Sequence, residues 1–251
     1  MTHDTLIFQF TALIIMSLQD RDFYLTIEHA CAYYDDRVCQ NVIPDPNVAM
    51  QADVYEQLGM LGFRRSGGHI YRPHCPECTA CVPCRINAAS FSANRSQRRC
   101  LKKNENVSVK PVKAEFTSEY FELYKKYLDH RHADGEMKNP SEDDFKNFLI
   151  SDWCNTHFLE FREEEKLLAV AVIDKLRNGF SAVYTFFDPD YSDRSLGVFA
   201  ILQEIQHCKD NQLPFLYLGY WIDHHPKMHY KTNFNSVEIF QVNHWHTLNK
   251  N

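Results

Sequence analysis

Four cysteines at a strict period of three residues are the most conspicuous chemical feature of this sequence. The stretch "YRPHCPECTACVPCRI", residues 71–86, carries them as Cys75, Cys78, Cys81 and Cys84. The spacing C-x2-C-x2-C is typical of iron–sulfur ligands, and paired C-x2-C segments also bind zinc. This stretch is nevertheless compact and partly apolar, without the glycine or polar turns usual around four thiolate ligands. Two interpretations stay open: a metal site, and free thiols packed where two domains meet.

A second dense group of unusual side chains lies near the C-terminus, in "GYWIDHHPKMHYKTNF", residues 219–234. Its candidates for chemistry are phenols and ammonium groups that can donate hydrogen bonds to a developing oxyanion. They are Tyr220, Lys227, Tyr230 and Lys231. The two lysines share a face if a helix begins after Pro226. The alternative is a structural aromatic cluster with surface lysines. The histidines here lack an acid or cysteine that would complete a metal-ligand spacing.

The charge of the chain is uneven. The net charge is −6, but the segment from Arg64 to Lys113 holds eleven lysines and arginines against two acids. That segment therefore carries +9 and the remainder −15. A basic helix predicted from "SANRSQRRCLKK", with Ser92 as its N-cap, places four cations on one face. They are Arg95, Arg98, Arg99 and Lys102. Such a stripe favours a phosphate-binding surface, and the alternative is an ordinary solvated face.

Composition bounds the class of protein. The chain has 251 residues, 44% of them apolar, which suffices for one large or two modest cores. Nine cysteines without a clear secretory signal predict a reduced, cytoplasmic protein. The apolar segment at residues 6–16 is too short to span a bilayer, so no membrane association is predicted. The residues before Met16 could be an extension or a misplaced start.

The order of predicted elements defines an α+β protein with a boundary near residue 105. Residues 17–105 form a smaller α+β domain with the cysteines and the basic helix, and residues 106–251 form the second domain. From Ser108 the order is β, α, α, β, β, β, α, β, which resembles the N-acetyltransferase-like (GNAT-like) fold. In that fold the two middle strands part, and a helix N-terminus able to bind anions points into the notch. Here Ser195 would cap that helix and Gly197 would let a ligand approach.

Three stretches resemble the aminoacyl-tRNA–protein transferase family. They are "GFRRSGGHIYRPHCPECTACVPCRI" (62–86), "FSANRSQRRCLKKN" (91–104) and the region from "SLGVFAILQEI" to "DHHPKMHYKTNF" (195–234). The chain is most similar to the short bacterial branch, the aspartate/glutamate leucyltransferases. The resemblance implies transfer of leucine from leucyl-tRNA to a protein's N-terminal Asp or Glu, which creates an N-degron.

The resemblance also bears on the cysteines. Related eukaryotic transferases are associated with an iron–sulfur cluster or regulatory cysteines in their N-terminal region. Carried over, this implies a ligand set of Cys31, Cys75, Cys78 and Cys81. The family pattern is often apolar at the position of Cys84, which therefore stays outside the set.

The implied chemistry needs little acid–base help. An α-amine has a pKa of about 7.7–8.0, so part of it is already neutral at pH 7, and an aminoacyl ester is activated. Proximity and oxyanion donors are what the enzyme must supply, and no cofactor is required. The basic helix with Ser195 and Gly197 would hold the tRNA end, and residues 182–187 with 198–202 could line the leucyl pocket. Arginines that could pair with the acidic N-terminus are Arg65, Arg72 and Arg85.

Three rivals remain on sequence alone. An arginyltransferase would need a buried carboxylate for its cargo, an acyl-CoA N-acyltransferase would need a richer phosphate-binding loop than "SLGV", and a cysteine-rich RNA-binding module would bind without turnover.

Overall fold

The computed structural model describes residues 21–131 and 139–248. The apolar segment 6–16 lies outside the described residues. The strands are β1 (Phe23–Leu25), β2 (His29–Ala30), β3 (Val38–Cys39), β4 (Asn41–Pro44), β5 (Arg64–Ser66), β6 (His69–Pro73), β7 (Val82–Asn87), β8 (Ser108–Lys113), β9 (Thr156–Glu163), β10 (Lys166–Leu176), β11 (Gly179–Phe187), β12 (Phe215–Trp221), β13 (Val237–Gln241) and β14 (His244–Thr247).

Helices lie between several of these strands. They are α1 (Ala52–Met60), α2 (Arg95–Lys103), α3 (Ser118–Arg131), α4 (Glu142–Leu149) and α5 (Leu196–Asp210), with 3₁₀ segments at Pro189–Arg194 and His229–Asn233. The predicted cap of α2 is wrong. Asn94, not Ser92, is the N-cap, because Gln97 three residues later completes a capping box with it. No helix of the described residues is long and apolar enough to cross a membrane.

An eight-stranded mixed sheet organises the molecule. Its strand order is β14-β13-β7-β12-β11-β10-β9-β8. Strands β8 to β11 pair antiparallel, and β12 returns parallel to β11 after the α5 crossover. The order of elements predicted from Ser108 onward is confirmed.

Strand β10 carries the centre of both main cores. Ala169, Ala171 and Ile173 pack on the side of α5, whereas Val170 and Val172 pack on the side of α3 and α4. All five are fully buried. Alternate side chains of a strand point to opposite faces, so a continuous apolar run suits a strand covered on both sides.

The boundary predicted near residue 105 does not separate the cores. Strand β7 lies before that boundary, yet it pairs with β12 and β13 inside the large sheet. Its residues Cys84 and Ile86 are buried in the same core as α5. Four other strands of the first half form a smaller sheet, β1-β4-β6-β5, which packs against α1.

Candidate functional site

Strands β11 and β12 part after only three paired residues. Their pairing ends at Ser181 and Tyr217, although both strands continue. Just beyond that point each strand bulges away from its other neighbour, at Val183 in β11 and at Leu218 in β12. A bulge bends a strand and increases its twist. The two bulges therefore drive the strands apart and open a notch.

The side chain of Arg64, from β5, fills the base of this notch. It is 8% exposed, and its guanidinium donates to the carbonyl oxygen of Tyr217 at 3.2 Å and to that of Ala182. Gly219 allows this approach, because its φ is +79° and a Cβ would lie 3.4 Å from Nε of Arg64. Arg64 thus satisfies strand carbonyls at the point where the two strands separate.

Beyond Arg64 the notch widens into a pocket of about 590 Å³. Apolar side chains of both strands and of α5 form much of its wall: Val183, Phe187, Val198, Ile201 and Leu218. Both stretches predicted to form an apolar pocket, 182–187 and 198–202, contribute to this lining. A larger groove of about 1160 Å³ lies beside α4 and contains none of the predicted site residues.

Helix α5 begins differently from the prediction. Ser195 is left-handed (φ 53°, ψ 46°) and makes no side-chain hydrogen bond to the helix, so it is not an N-cap of the predicted kind. Gly197, in the first turn, does line the pocket.

One acid of α5 has no partner. Glu204 lines the pocket at 1% exposure, and neither carboxyl oxygen has a hydrogen bond among the described residues. Burial raises the pKa of Glu204 to about 8, with Arg64 acting in the opposite direction. Other titratable neighbours are Cys208, one turn along α5, and Tyr230.

Replacing Glu204 with glutamine is expected to stabilise the ligand-free protein at high pH. The folded state holds a proton on Glu204 up to about pH 8, whereas in the unfolded chain this carboxyl has its ordinary pKa of 4.5 and has already released it. The contribution of Glu204 to the free energy of unfolding is therefore most favourable below about pH 4.5, and this advantage is lost as pH rises towards 8. We expect the variant to gain at least about 1 kcal/mol over the wild type at pH 8.5, and less at pH 5.

Thermal unfolding at both pH values measures this difference. Glu105→Gln, at an exposed glutamate, is the matched control and should leave the pH dependence unchanged. Equal shifts for both variants at both pH values would contradict the expectation.

Three of the four residues predicted to donate in catalysis line the pocket: Lys227, Tyr230 and Lys231. Tyr220 does not. It is buried, and its hydroxyl donates to the carbonyl oxygens of Gly62 (3.1 Å) and Tyr71 (3.0 Å). Tyr230 is 39% exposed, and its hydroxyl makes no hydrogen bond within the described part of the chain, so this phenol is available.

The two lysines do not share a face. A 3₁₀ segment from His229 to Asn233 replaces the predicted helix after Pro226. Lys231 is 5% exposed and donates to the carbonyl oxygen of Tyr220 at 2.5 Å, and burial lowers its pKa. Lys227 is exposed at the pocket mouth.

Two of the three arginines predicted to bind an acidic N-terminus already have carboxylate partners. Arg65 is fully buried against Asp174, at 2.7 Å from Nε to Oδ2. Arg85 pairs with Glu238 at 2.7 Å and stacks on Phe215. We therefore do not retain Arg65 and Arg85 as substrate ligands, because a second carboxylate would have to displace the first.

Arg72 has no carboxylate partner among the described residues. Its guanidinium donates to the carbonyl oxygen of Leu61 at 2.9 Å and lies over the ring of Phe63. Burial lowers its pKa. It is not part of the pocket lining.

Helix α2 lies beside the start of α5 and presents its basic face to solvent. Arg95, Arg98, Arg99 and Lys102 are all exposed, and no carboxylate pairs with any of them across residues 21–131 and 139–248. Asn104, which follows α2, donates to the carbonyl oxygen of Arg194 at 3.0 Å. The helix that carries the cations is thus anchored next to the end of α5 that opens on the pocket.

The cysteines form a loose cluster around β3 and the loop before β7. Its members influence one another electrostatically: Cys31, Cys39, Cys75, Cys78 and Cys81. Arg37 donates to Sγ of Cys78 at 3.2 Å. The pKa of Cys78 is lowered, first by a backbone hydrogen bond from Ala80 and then by Arg37, whereas burial raises the pKa of Cys81 to about 12.

This arrangement does not by itself fit a metal ion. Across residues 21–131 and 139–248, no three or more His, Cys, Asp or Glu side chains are placed to hold one. Binding of iron or zinc by Cys31, Cys75, Cys78 and Cys81 stays a prediction, which metal analysis of anaerobically purified protein tests. Cys84 is 1% exposed in the core beneath the notch.

Sequence reasoning missed two charged residues of the pocket lining, Arg131 and Glu204, and also Arg64 at the base of the notch. Glu204 had a detectable signal, because it lies three and four residues after Ile201 and Ala200 on the apolar face of α5. An acid on a buried helix face needs a partner. Arg64 and Arg131 gave no comparable signal, because only the tertiary fold brings β5 and the end of α3 to the notch.

Two family models match the chain. The N-terminal model of arginine-tRNA-protein transferases matches residues 29–99, and the C-terminal model matches residues 119–241. A relative named aspartate/glutamate leucyltransferase from Alcanivorax borkumensis is 48% identical over 223 residues, covering 89% of this chain and 92% of its own. Another of that name from Pseudomonas putida is 50% identical over 227 residues, covering 90% and 97%.

Two solved structures give partial matches to the chain. The C-terminal domain of a putative lysylphosphatidylglycerol synthetase from Agrobacterium fabrum has a TM-score of 0.45 at 14% identity, over 57% of this chain and 47% of that one. FemX has a TM-score of 0.45 at 10% identity, over 74% and 64%.

The family matches, which take in the pocket and the first half of the basic helix, define an aminoacyl-tRNA–protein transferase. Within that class, sequence identity of 48% and 50% to the two named relatives, over 89% and 90% of this chain, identifies the branch. The chain belongs to the aspartate/glutamate leucyltransferase family.

Proposed function

We propose that this protein transfers the leucyl group of leucyl-tRNA to the α-amine of an N-terminal aspartate or glutamate, so that the acceptor protein becomes a target for degradation. The catalytic half is of the N-acetyltransferase-like type. The named relatives support the donor and acceptor. The nine cysteines, all free, support action in the reducing cytoplasm.

The observation that carries this proposal is the position of the pocket. It opens where β11 and β12 part, much of its wall is apolar, and α2, which carries exposed cations, is anchored next to the start of α5. When the acceptor stem of the tRNA lies on α2, its phosphates contact the cations of that helix. The 3′ end of the tRNA then has a short path past Gly197 into the pocket. A leucyl side chain fits against Val198 and Ile201.

The reaction is an ester-to-amide exchange. The neutral acceptor amine attacks the ester carbonyl carbon, and the C–O bond to the terminal ribose then breaks. The amine proton passes to the departing ribose oxygen, which leaves leucyl-peptide and uncharged tRNA. Tyr230 is placed to donate to the oxyanion or to that oxygen, since partial desolvation of its hydroxyl raises its pKa to about 12 and the phenol keeps its proton. Because the ester is already activated, this step requires no cofactor.

An acidic acceptor residue needs a cation near the amine. Among the described residues that line the pocket, Arg131 and Lys227 are basic, exposed and without a carboxylate partner. They lie at the mouth, where the acceptor enters. We assign them the role that the sequence had suggested for Arg65, Arg72 and Arg85.

Replacing Arg131 and Lys227 with alanine is expected to weaken acceptor use selectively. A lost charge-assisted hydrogen bond raises KM for an Asp-headed peptide by roughly tenfold or more. KM for leucyl-tRNA should change little. Steady-state kinetics with each substrate varied in turn measures both. Lys175→Ala, at an exposed lysine of β10, is the control, and an unchanged peptide KM in the double variant would remove the assignment.

Charge reversal of Arg98 and Arg99 is expected to weaken tRNA binding with little effect on folding. Each lost phosphate contact lowers the salt slope of log Kd by about one, so the pair should lower it by about two. Filter binding over a salt series measures the slope. The same reversal at Lys110 and Lys113 is the matched control, because both are exposed on the far edge strand β8. An unchanged tRNA affinity at fixed salt would contradict this role of α2.

The transfer reaction itself is tested with labelled donors and defined peptides. We expect label from leucyl-tRNA on peptides that begin with Asp or Glu, and none on peptides that begin with Lys or Ala. Transfer from arginyl-tRNA instead would support the arginyltransferase alternative, for which Glu204 offers the buried carboxylate. Binding of charged tRNA without transfer to any peptide would contradict the proposal.

A further inference from the structure

Glu204 occupies a defined place in the pocket wall. Val198, Ile201 and Glu204 follow one another at a spacing of three along α5, and all three line the pocket. Residues at this spacing share one helix face, so the wall changes from apolar to acidic one turn beyond Ile201. The carboxyl group lies farther from the start of α5 than the apolar part of the wall.

The carboxyl group lacks the partner that burial requires. Neither oxygen has a hydrogen bond within the described part of the chain, although the residue is 1% exposed. Arg64 acts on it electrostatically but forms no ion pair with it, because its guanidinium is bonded to the strand carbonyls. Burying an unpartnered carboxyl group is unfavourable. A ligand with a positive charge would satisfy it, because a cation beside the carboxyl group lowers its pKa again and the group then releases its proton to solvent.

Glu204 is also the only acid among the described residues that line this pocket. The ionisable cations of the lining are Arg65, Arg131, Lys227 and Lys231. A cationic part of a ligand that enters between them can therefore form an ion pair only with Glu204. Arg131 and Lys227 lie at the mouth, so the charge pattern orients a substrate with its cationic end inward.

The two substrates carry different amines that could pair with the Glu204 carboxylate. The acceptor amine must be neutral to attack, and a carboxylate that held it as an ammonium would oppose the reaction. The donor carries a second amine, the α-ammonium of the aminoacyl group, which takes no part in the exchange and lies one carbon from the reacting carbonyl. Its apolar side chain would lie against Val198 and Ile201 while the ammonium points to Glu204.

We propose that Glu204 binds the α-ammonium of the aminoacyl group carried by the donor tRNA. This inference rests on the proposed function, because it takes an aminoacyl ester as the ligand. The role is one of recognition and orientation. It lets the enzyme distinguish a charged tRNA with a free amino group from an uncharged or N-blocked one.

The test compares two donors that differ only in that amine. One is leucyl-tRNA, and the other is the same tRNA carrying 2-hydroxy-4-methylpentanoate, in which a hydroxyl replaces the ammonium. Affinities are measured on the full-length protein with no acceptor present. We expect the wild type to bind the leucyl form about tenfold or more tightly than the hydroxy form. The variant Glu204→Gln should bind both within about twofold of each other, since an amide cannot form the charged pair.

The matched control is Asp210→Asn, which removes one negative charge from the exposed end of the same helix. It should keep the preference of the wild type. Because Glu204→Gln is expected to stabilise the fold, a lost preference would not reflect unfolding, and its thermal unfolding is recorded alongside.

Two results would overturn the inference. One is equal affinity of the wild type for the leucyl and hydroxy forms, and the other is a preference that survives in Glu204→Gln. If the wild type bound arginyl-tRNA more tightly than leucyl-tRNA and did not discriminate the hydroxy form, Glu204 would serve a cationic side chain instead. Leucine transfer to Asp-headed peptides is measured separately. Transfer without any ammonium preference defeats only this inference, whereas absence of transfer defeats the proposed function.

Discussion

Replacing Asp174 with alanine is expected to lower the free energy of unfolding by about 3–5 kcal/mol. Asp174 and Arg65 form an ion pair in which both side chains are fully buried. The carboxylate accepts two hydrogen bonds from Arg65, at 2.7 and 3.0 Å, and further ones from Tyr55 (2.9 Å) and Thr156 (2.7 Å). Removal of the Asp174 carboxylate leaves the Arg65 charge buried without a counter-ion, and an uncompensated buried charge is strongly destabilising.

The location of the pair explains why the whole molecule should respond. Arg65 belongs to β5 in the first half of the chain, and Asp174 belongs to the central strand β10. The pair therefore fixes the small sheet to the large one, and Arg64, the neighbour of Arg65, reaches the notch from the same strand. Loss of the pair should also reduce transfer activity at temperatures where the protein remains folded.

Chemical denaturation of the variant measures the change in stability. Asp193→Ala is the matched control, because Asp193 pairs with Lys103 at the surface and such pairs contribute about 0–1 kcal/mol. If Asp174→Ala were no more destabilising than Asp193→Ala, the buried pair would not have the structural role assigned to it. The double replacement of Arg65 and Asp174 with leucine should be less harmful than Asp174→Ala alone.

Replacing Tyr230 with phenylalanine is expected to reduce kcat about 100-fold, with a much smaller effect on either KM. The hydroxyl is the only group removed. It lies on the pocket wall without a hydrogen-bond partner among the described residues, and its raised pKa keeps it a donor throughout the neutral range. An interaction made only as charge develops on the ester oxygen affects kcat rather than ground-state binding.

The matched control is the same substitution at Tyr220. That hydroxyl lies outside the pocket and holds the carbonyls of Gly62 and Tyr71. Tyr220→Phe should therefore lose about 1–2 kcal/mol of stability while kcat stays within a few-fold of the wild type. The reverse pattern, with Tyr220→Phe catalytically impaired and Tyr230→Phe active, would exchange the two roles.

Local patterns predicted much of the fold. The order of strands and helices from Ser108 onward, including the three consecutive strands β9 to β11, was predicted from local sequence patterns and is confirmed. These features depend on neighbours in sequence, so a single sequence contains them. The cap of α2 was misplaced because Ser92 and Asn94 are both good caps, and only the contact with Gln97 decides between them.

Non-local features were not predictable in the same way. Nothing in the residues of β7 indicates that this strand lies between β12 and β13. The partners of the candidate site residues were not predictable for the same reason. The arginines Arg65 and Arg85 have the right chemistry for a substrate carboxylate, but Asp174 and Glu238, more than a hundred residues away, already hold them. In contrast, Lys227 and Tyr230 lie within one dense stretch of the sequence, which singled them out as candidates, and both line the pocket.

The central claim is that the gap between the parted strands β11 and β12 holds the aminoacyl end of the donor. The most direct test is a crystal structure with a stable 3′-amide analogue of leucyl-adenosine. We predict leucyl density against Val198 and Ile201, with the carbonyl oxygen within hydrogen-bond distance of Tyr230. Density for the analogue in the groove beside α4, with an empty notch, would contradict the account.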